Sequence, residues 1–146
     1  SGPTKRWDIK NYLKLSKDLT RIYKCKFYIA IGPNDVGLIK EFKNSAENLI
    51  FESFENLTIK QTLNKIKNCD CYIGNDTGWG HISSGLNLKS LFLFCDSPPK
   101  AYASYANNIS VVLPEGETFD TCGHNTRGKE KILFDKVFKE SLKLIK

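Results

Sequence analysis

One short segment holds the residues best suited to bind a charged ligand. Residues 74–81 read Gly-Asn-Asp-Thr-Gly-Trp-Gly-His and lie where a buried apolar run gives way to a helical pattern. A helix N-terminus offers N–H groups and about half a positive charge, which suits a phosphate group. Gly78 and Gly80 would let a ligand approach the backbone closely. Asp76 and Thr77 would either contact that ligand or only cap the helix.

Two further segments carry candidate binding residues. Lys5 follows a Gly-Pro loop and precedes a helix, so it could meet a phosphate as a mobile point charge or be no more than an exposed basic end. Asp35 closes the run Gly32-Pro33-Asn34-Asp35 after an apolar stretch, and it could accept a hydrogen bond from a ribose hydroxyl or cap a helix. His81, taken alone, is more typical of a packed or surface histidine than of a ligand.

The elements that must position these residues alternate between strands and helices. Helices are predicted after Asp8, near Asn34-Asp35, after Thr58, over 77–86 and from Phe134. Strands are predicted over 26–31, 49–51, 71–74, 90–95 and 109–113. In the third helix, Ile59, Leu63 and Ile66 are expected to face inward.

The strands are short apolar runs, a pattern that indicates a parallel sheet covered on both faces. We therefore predict an α/β fold: a Rossmann-like parallel sheet with helices on both faces, in one domain over residues 1–146. The opening Ser1-Gly2-Pro3-Thr4 reads as a loop, whereas a doubly wound domain normally begins with a strand. We therefore expect that the sheet could lack its first strand.

Composition narrows the classes of partner. The net charge is +6, yet only three of the 22 basic residues are arginines, the residue that specific nucleic-acid readers rely on. This favours solvated lysine faces over a nucleic-acid surface. Five cysteines occur without a CxxC pair, so we expect no metal site and predict buried, reduced thiols. No apolar run approaches the ~20 residues of a bilayer span, and no signal peptide is evident, so a cytoplasmic protein is expected.

The order of these motifs resembles glycosyltransferase family 9, which contains the ADP-heptose:lipopolysaccharide heptosyltransferases. The resemblance runs from Pro3 to about Cys95, and its most specific part is the Asp-Thr-Gly-x-x-His block at 76–81. It implies two Rossmann-like domains facing a cleft, the GT-B arrangement. This chain would be the C-terminal domain, which binds the donor nucleotide sugar.

The resemblance implies a role for each residue of the main segment. Lys5 would contact the donor diphosphate, and Thr77 and Gly78 would bind phosphate through backbone N–H groups and the threonine hydroxyl. Asp76 would hold hydroxyls of the transferred sugar, and His81 would support this loop.

The resemblance is weaker at two positions. Asp35 is the ribose candidate, but the acidic residue of the family falls one place later, where this chain has Val36. Trp79 stands where many members carry proline, so the resemblance does not predict the local shape of the loop.

The implied reaction moves a heptose, or a related sugar, from a nucleoside-diphosphate sugar to the lipopolysaccharide core, with ADP-heptose as the expected donor. The acceptor and the catalytic base would belong to an N-terminal domain that this chain lacks. No cofactor or metal is expected, because Lys5 and the helix dipole would stabilise the leaving diphosphate. Peripheral contact with the inner membrane is also an expectation. Three alternatives stay open: another nucleotide-sugar transferase of the GT-B type, a non-catalytic nucleotide-binding subunit, and a basic nucleic-acid-binding α/β module.

Overall fold

The computed structural model describes residues 2–146, through which helices and strands alternate. The helices are α1 (Ile9–Thr20), α2 (Val36–Ser45), α3 (Ile59–Ile66), α4 (Gly78–Gly85), α5 (Pro99–Tyr102) and α6 (Phe134–Ile145). The strands are β1 (Phe27–Ile29), β2 (Phe51–Ser53), β3 (Cys71–Asn75), β4 (Lys89–Leu93) and β5 (Ile109–Val112). Short 3₁₀ turns cover Pro3–Lys5, Pro33–Asp35 and Lys129–Lys131.

The chain forms two compact units, Asp8–Asn68 and the combination of Ser1–Trp7 with Cys69–Lys146. The first contains a parallel pair of strands, β1 and β2, and the second a parallel three-stranded sheet in the order β3-β4-β5. Every pairing is parallel and helices lie on both sides of the sheets, so the predicted α/β class is confirmed. Among the described helices, none combines the length and apolarity that a bilayer span requires.

The helices of the Asp8–Asn68 unit begin at local signals that can be recognised in the sequence. Asp8 caps α1 by accepting a hydrogen bond from the backbone N–H of Lys10 at 2.8 Å. Thr58 and Gln61 form a capping box at the start of α3. Ile39 and Phe42 on α2 are buried in the core of this unit. Each helix therefore begins where a capping residue or a turn predicts it.

The inward face of α3 differs from the prediction. Ile59 is 65% exposed and Leu63 is 36% exposed, whereas Thr62 and Ile66 are buried. The hydroxyl of Thr62 donates to the carbonyl of Ile59 at 2.6 Å, so this polar side chain can be buried without leaving its hydroxyl unpaired. Ile59 shares a face with positions 62 and 66, but it is the first residue of the helix and lies at its exposed end.

The core of the second unit surrounds β4, the central strand of its sheet. Leu91, Phe92 and Leu93 are fully buried, because α4 lies against β3 and β4 while α6 contacts all three strands. A strand covered on both faces needs consecutive apolar residues, which is the pattern that predicted it. Cys95 and Cys122 are buried, while the other three cysteines are partly exposed.

The register of this sheet aligns the carboxyl ends of its strands. Asn75 at the end of β3 pairs with Leu93 on β4, which pairs with Val112 on β5. The loops that follow β3 and β4 therefore leave the sheet side by side. In open parallel sheets this edge is where ligands bind.

Candidate functional site

Polar residues follow β3 and β4 at the same edge of the sheet. Asp76 comes directly after β3, and α4 begins two residues later at Gly78. Asp96 and Ser97 follow β4 and are both buried, 8% and 1% exposed respectively. Buried polar side chains of this kind need hydrogen-bond partners, and these partners define the site.

Trp7 attaches the N-terminal segment to this edge. Its side chain is fully buried, and its backbone N–H donates to Oδ1 of Asn75 at 2.9 Å. The indole Nε1–H donates to the carbonyl of Ile132 at 3.3 Å, and the ring stacks on Phe134 with centroids 6.1 Å apart. Asn75 immediately precedes Asp76, so this anchor brings the Lys5 segment to the loop that carries Asp76.

A second attachment holds the Pro3–Lys5 turn beside the loop after β4. The carboxylate of Asp96 accepts hydrogen bonds from the hydroxyl of Thr4 and from the backbone N–H of Arg127, the latter at 2.8 Å. Burial raises the pKa of Asp96, but these bonds and the positive charges of Arg127 and Lys5 outweigh it, so the pKa lies below its ordinary value. Lys5 therefore lies within electrostatic reach of this edge.

The carboxylate of Asp76 is held by donors on both of its oxygens. His81 Nε2 lies 3.0 Å from Oδ1, and the hydroxyl of Ser97 donates to Oδ2 at 2.9 Å. The other ring nitrogen of His81, Nδ1, lies 2.7 Å from the hydroxyl of Tyr105. The contact between His81 and Asp76 is consistent with the expectation that His81 supports this loop. The two donors fix the orientation of the Asp76 carboxylate.

Thr77 precedes α4 as its N-cap residue, but its hydroxyl does not cap the helix. It lies 3.2 Å from the hydroxyl of Tyr72, which itself donates to the carbonyl of Asn75 at 2.9 Å. Burial raises the pKa of Tyr72 to about 12, so the phenol keeps its single proton. Because that proton goes to Asn75, the Thr77 hydroxyl is the donor in its contact with Tyr72. The hydroxyl of Thr77 is therefore engaged within the chain, and its expected contact with phosphate stays a prediction.

The two glycines in the first turn of α4 have different surroundings. Nothing lies within 4 Å of the position that a Cβ would occupy on Gly78, which is exposed. A Cβ on Gly80 would lie 2.8 Å from two ring atoms of Phe92 and 2.9 Å from the ring of Tyr72. The prediction that both glycines admit a ligand is therefore wrong for Gly80, which lets α4 approach the sheet.

This difference makes a matched pair of substitutions informative. We expect Gly80→Ala to lower the free energy of unfolding by about 1–3 kcal/mol, the usual effect of overpacking. We expect Gly78→Ala to leave it unchanged or to raise it by up to about 1 kcal/mol, since alanine is the better helix former and nothing crowds its Cβ. Chemical denaturation of both variants measures this, and equal stabilities would contradict the assignment of Gly80 to packing.

The structure gathers Lys5, Asp76, Thr77, Gly78 and His81 in one unit, whereas Asp35 belongs to the other. Asp35 ends the Pro33–Asp35 turn directly before α2, and Val36 begins that helix. Its assignment to a ribose stays a prediction.

The sequence prediction did not include Asp96, Ser97 or Tyr105. A signal existed for the first two, because Asp96-Ser97 follows a predicted buried strand just as Asp76-Thr77 does. Tyr105 gave none, since it lies 24 residues from His81 in sequence and far from any motif. In the part of the chain that the structure describes, no group of three or more His, Cys, Asp or Glu side chains is placed to hold a metal ion.

Parallel strands with helices on both sides, and with charged and hydroxyl side chains at their carboxyl ends, define an α/β protein with a candidate ligand site at that edge. The model of glycosyltransferase family 9 (heptosyltransferase) matches residues 1–132, and the chain belongs to this family. Lipooligosaccharide heptosyltransferase 2 of Haemophilus influenzae is 29% identical over 122 residues, which is 80% of this chain and 35% of that protein.

Two solved structures share the fold. A family 9 glycosyl transferase from Veillonella parvula superposes with a TM-score of 0.83 at 19% identity, covering 99% of this chain and 43% of that one. E. coli heptosyltransferase WaaC with ADP gives a TM-score of 0.77 at 14% identity over 98% of this chain and 41% of that one. The chain therefore spans less than half the length of the relatives it matches.

Proposed function

We propose that this chain binds the donor of a glycosyltransferase that moves a heptose from ADP-heptose to the core of lipopolysaccharide. The observation that carries the proposal is the meeting of three features at one edge of a parallel sheet: the Lys5 turn, the Asp76 carboxylate and the N-terminus of α4. Membership of family 9 and the fold shared with an ADP-bound heptosyltransferase support the same reading.

Each feature has a role that suits a nucleoside-diphosphate sugar. The positive charge of Lys5 and the N–H groups at the start of α4 would neutralise the diphosphate, at rest and as it leaves. Gly78 is exposed and has no neighbour over its Cα, so a phosphate oxygen can reach its backbone. Asp76 would accept hydrogen bonds from neutral sugar hydroxyls, because a carboxylate beside phosphate oxygens would be repelled.

The proposal assigns the acceptor and the catalytic base to parts of the protein outside these 146 residues. It requires no metal and no cofactor, because Lys5 and the dipole of α4 supply positive charge where the leaving group develops its own negative charge. It places the reaction on the cytoplasmic side of the inner membrane, with peripheral contact to the lipid-linked acceptor.

We expect the chain to bind ADP and ADP-heptose, and Lys5→Ala to weaken ADP binding about tenfold. Hydrogen bonds to charged groups contribute about 1.5–3 kcal/mol, and a partly exposed lysine falls at the low end. Isothermal calorimetry measures this, with Lys139→Ala as a control that removes the same charge from an exposed position on α6. Equal ADP affinity in Lys5→Ala and the parent chain would contradict phosphate contact by Lys5.

The same titrations separate the proposal from the nucleic-acid alternative. A nucleic-acid module would bind a single-stranded oligonucleotide more tightly than ADP, with affinity falling steeply as salt rises. If the proposed function is right, ADP binds more tightly than the oligonucleotide, and the affinity for ADP depends only weakly on salt. Parallel titrations with GDP, UDP and their sugars test the choice of nucleotide.

A further inference from the structure

The Asp76 carboxylate is fixed by this chain before any ligand is bound. One oxygen contacts His81 Nε2 at 3.0 Å and the other accepts from the Ser97 hydroxyl at 2.9 Å. Each carboxylate oxygen has two lone pairs, so one acceptor position remains on each after these contacts. The two protein donors thus decide which directions stay open for hydroxyls of a sugar.

Ser97 is well placed to hold Asp76 rigidly. It is only 1% exposed, and it follows Asp96, whose carboxylate is bound by the backbone N–H of Arg127. The carbonyl of Ser97 lies 3.5 Å from the thiol of Cys122, a second contact that holds this residue in place. Water has little access to replace a hydroxyl buried in this way.

Tyr105 contacts His81, the residue that holds the other oxygen of the same carboxylate. Its hydroxyl lies 2.7 Å from Nδ1 of His81, and the two rings are 5.7 Å apart. A carboxylate oxygen only accepts, so a neutral His81 must donate from Nε2 and accept from Tyr105 at Nδ1. The carboxylate thus sets this tautomer, and the phenol supports it by donating to Nδ1 and holding the imidazole ring in place.

We propose that Ser97 and Tyr105 are positioning residues of the donor-sugar site, which act through the Asp76 carboxylate and set its preference for ADP-heptose over ADP. The inference rests on the proposed function and extends it. Four separate segments supply the contacts: the loop after β3, α4, the loop after β4 and the stretch after α5. Tyr105 is 56% exposed, so its hydroxyl contributes little to the buried core. Orienting His81 is the better account of its contact.

Calorimetry on the 146-residue chain tests this through the ratio of the affinities for ADP-heptose and ADP. We expect Ser97→Ala to lower the ratio about tenfold, the low end for a hydrogen bond to a charged group, and to change ADP affinity less than about twofold. We expect Ser97→Thr, which keeps a hydroxyl, to restore most of the ratio. A purely structural role would lower both affinities together.

Tyr105→Phe removes one hydroxyl from a half-exposed ring and keeps the fold, so it stays informative even if Ser97→Ala is unstable. We expect about a threefold fall in the ratio, smaller because water can reach Nδ1 in place of the phenol. Tyr102→Phe is the matched control on α5, with a ring near His124 instead of His81, and it should leave the ratio unchanged.

The outcomes separate this inference from the proposed function. If Asp76→Asn lowers the ratio while Ser97→Ala and Tyr105→Phe leave it unchanged, the positioning role is wrong and the donor-sugar role of Asp76 stands. If the parent chain binds ADP-heptose no better than ADP, or Asp76→Asn leaves the ratio unchanged, the sugar-binding proposal falls and the positioning role falls with it.

Discussion

Trp7→Ala is expected to lower the free energy of unfolding by about 3–5 kcal/mol, the usual range for deleting a large aromatic side chain from a core. The side chain is fully buried, stacks on Phe134 and donates to the carbonyl of Ile132, so its loss removes apolar contacts and leaves that carbonyl without the indole donor. Urea denaturation followed by circular dichroism measures the change.

Trp7→Phe is the matched control for this substitution. It keeps an aromatic ring beside Phe134 but removes the indole N–H, so a loss of about 1–2 kcal/mol is expected, near the value of one buried hydrogen bond with some lost packing. Because Trp7 anchors the Lys5 segment beside Asn75, ADP binding should weaken in Trp7→Ala even where the variant is folded. A loss of less than about 1 kcal/mol for Trp7→Ala would show that Trp7 is not the anchor described above.

The 146-residue chain, assayed by itself with ADP-heptose and an acceptor, is expected to give no transferase turnover. The proposed acceptor site and catalytic base lie outside it, and holding two substrates together can supply about 7–11 kcal/mol of barrier lowering. Binding without turnover is therefore the expected behaviour. Radiolabelled or mass-spectrometric product assays measure this, with an intact family 9 heptosyltransferase as the positive control. Steady product formation by this chain alone would contradict the proposed division of labour.

The position of the main site followed from the sequence because its signals are local. A short apolar run predicts a buried parallel strand, and a glycine-containing polar turn before a helix predicts the ligand edge. Residues 71–81 contain both signals in order, and the structure places β3, Asp76 and α4 accordingly. The alternation of strands and helices gave the fold class in the same way.

The features that could not be predicted from the sequence depend on contacts between residues that are far apart in the chain. Gly80 and Gly78 are equivalent in the sequence pattern, but in the structure Phe92 of the next strand fills the space beside Gly80. Tyr105 reaches His81 across 24 residues, which no local pattern encodes. In α3, Ile59 and Leu63 were expected to face inward, but Thr62 is buried with its hydroxyl bonded within its own helix. The periodicity of apolar residues does not predict that a polar side chain will find a hydrogen-bond partner in the folded chain.

The measurement that tests the central claim most directly is the ratio of ADP-heptose to ADP affinity in the parent chain and in Asp76→Asn. Asparagine replaces one accepting oxygen with an NH₂ group, which must face either His81 or Ser97, two positions occupied by donors. We expect ADP affinity to stay within about twofold while the ratio falls about tenfold, the value of one hydrogen bond to a charged group. An unchanged ratio in a folded Asp76→Asn variant would contradict the claim and would reduce Asp76 to a residue that only holds its loop together.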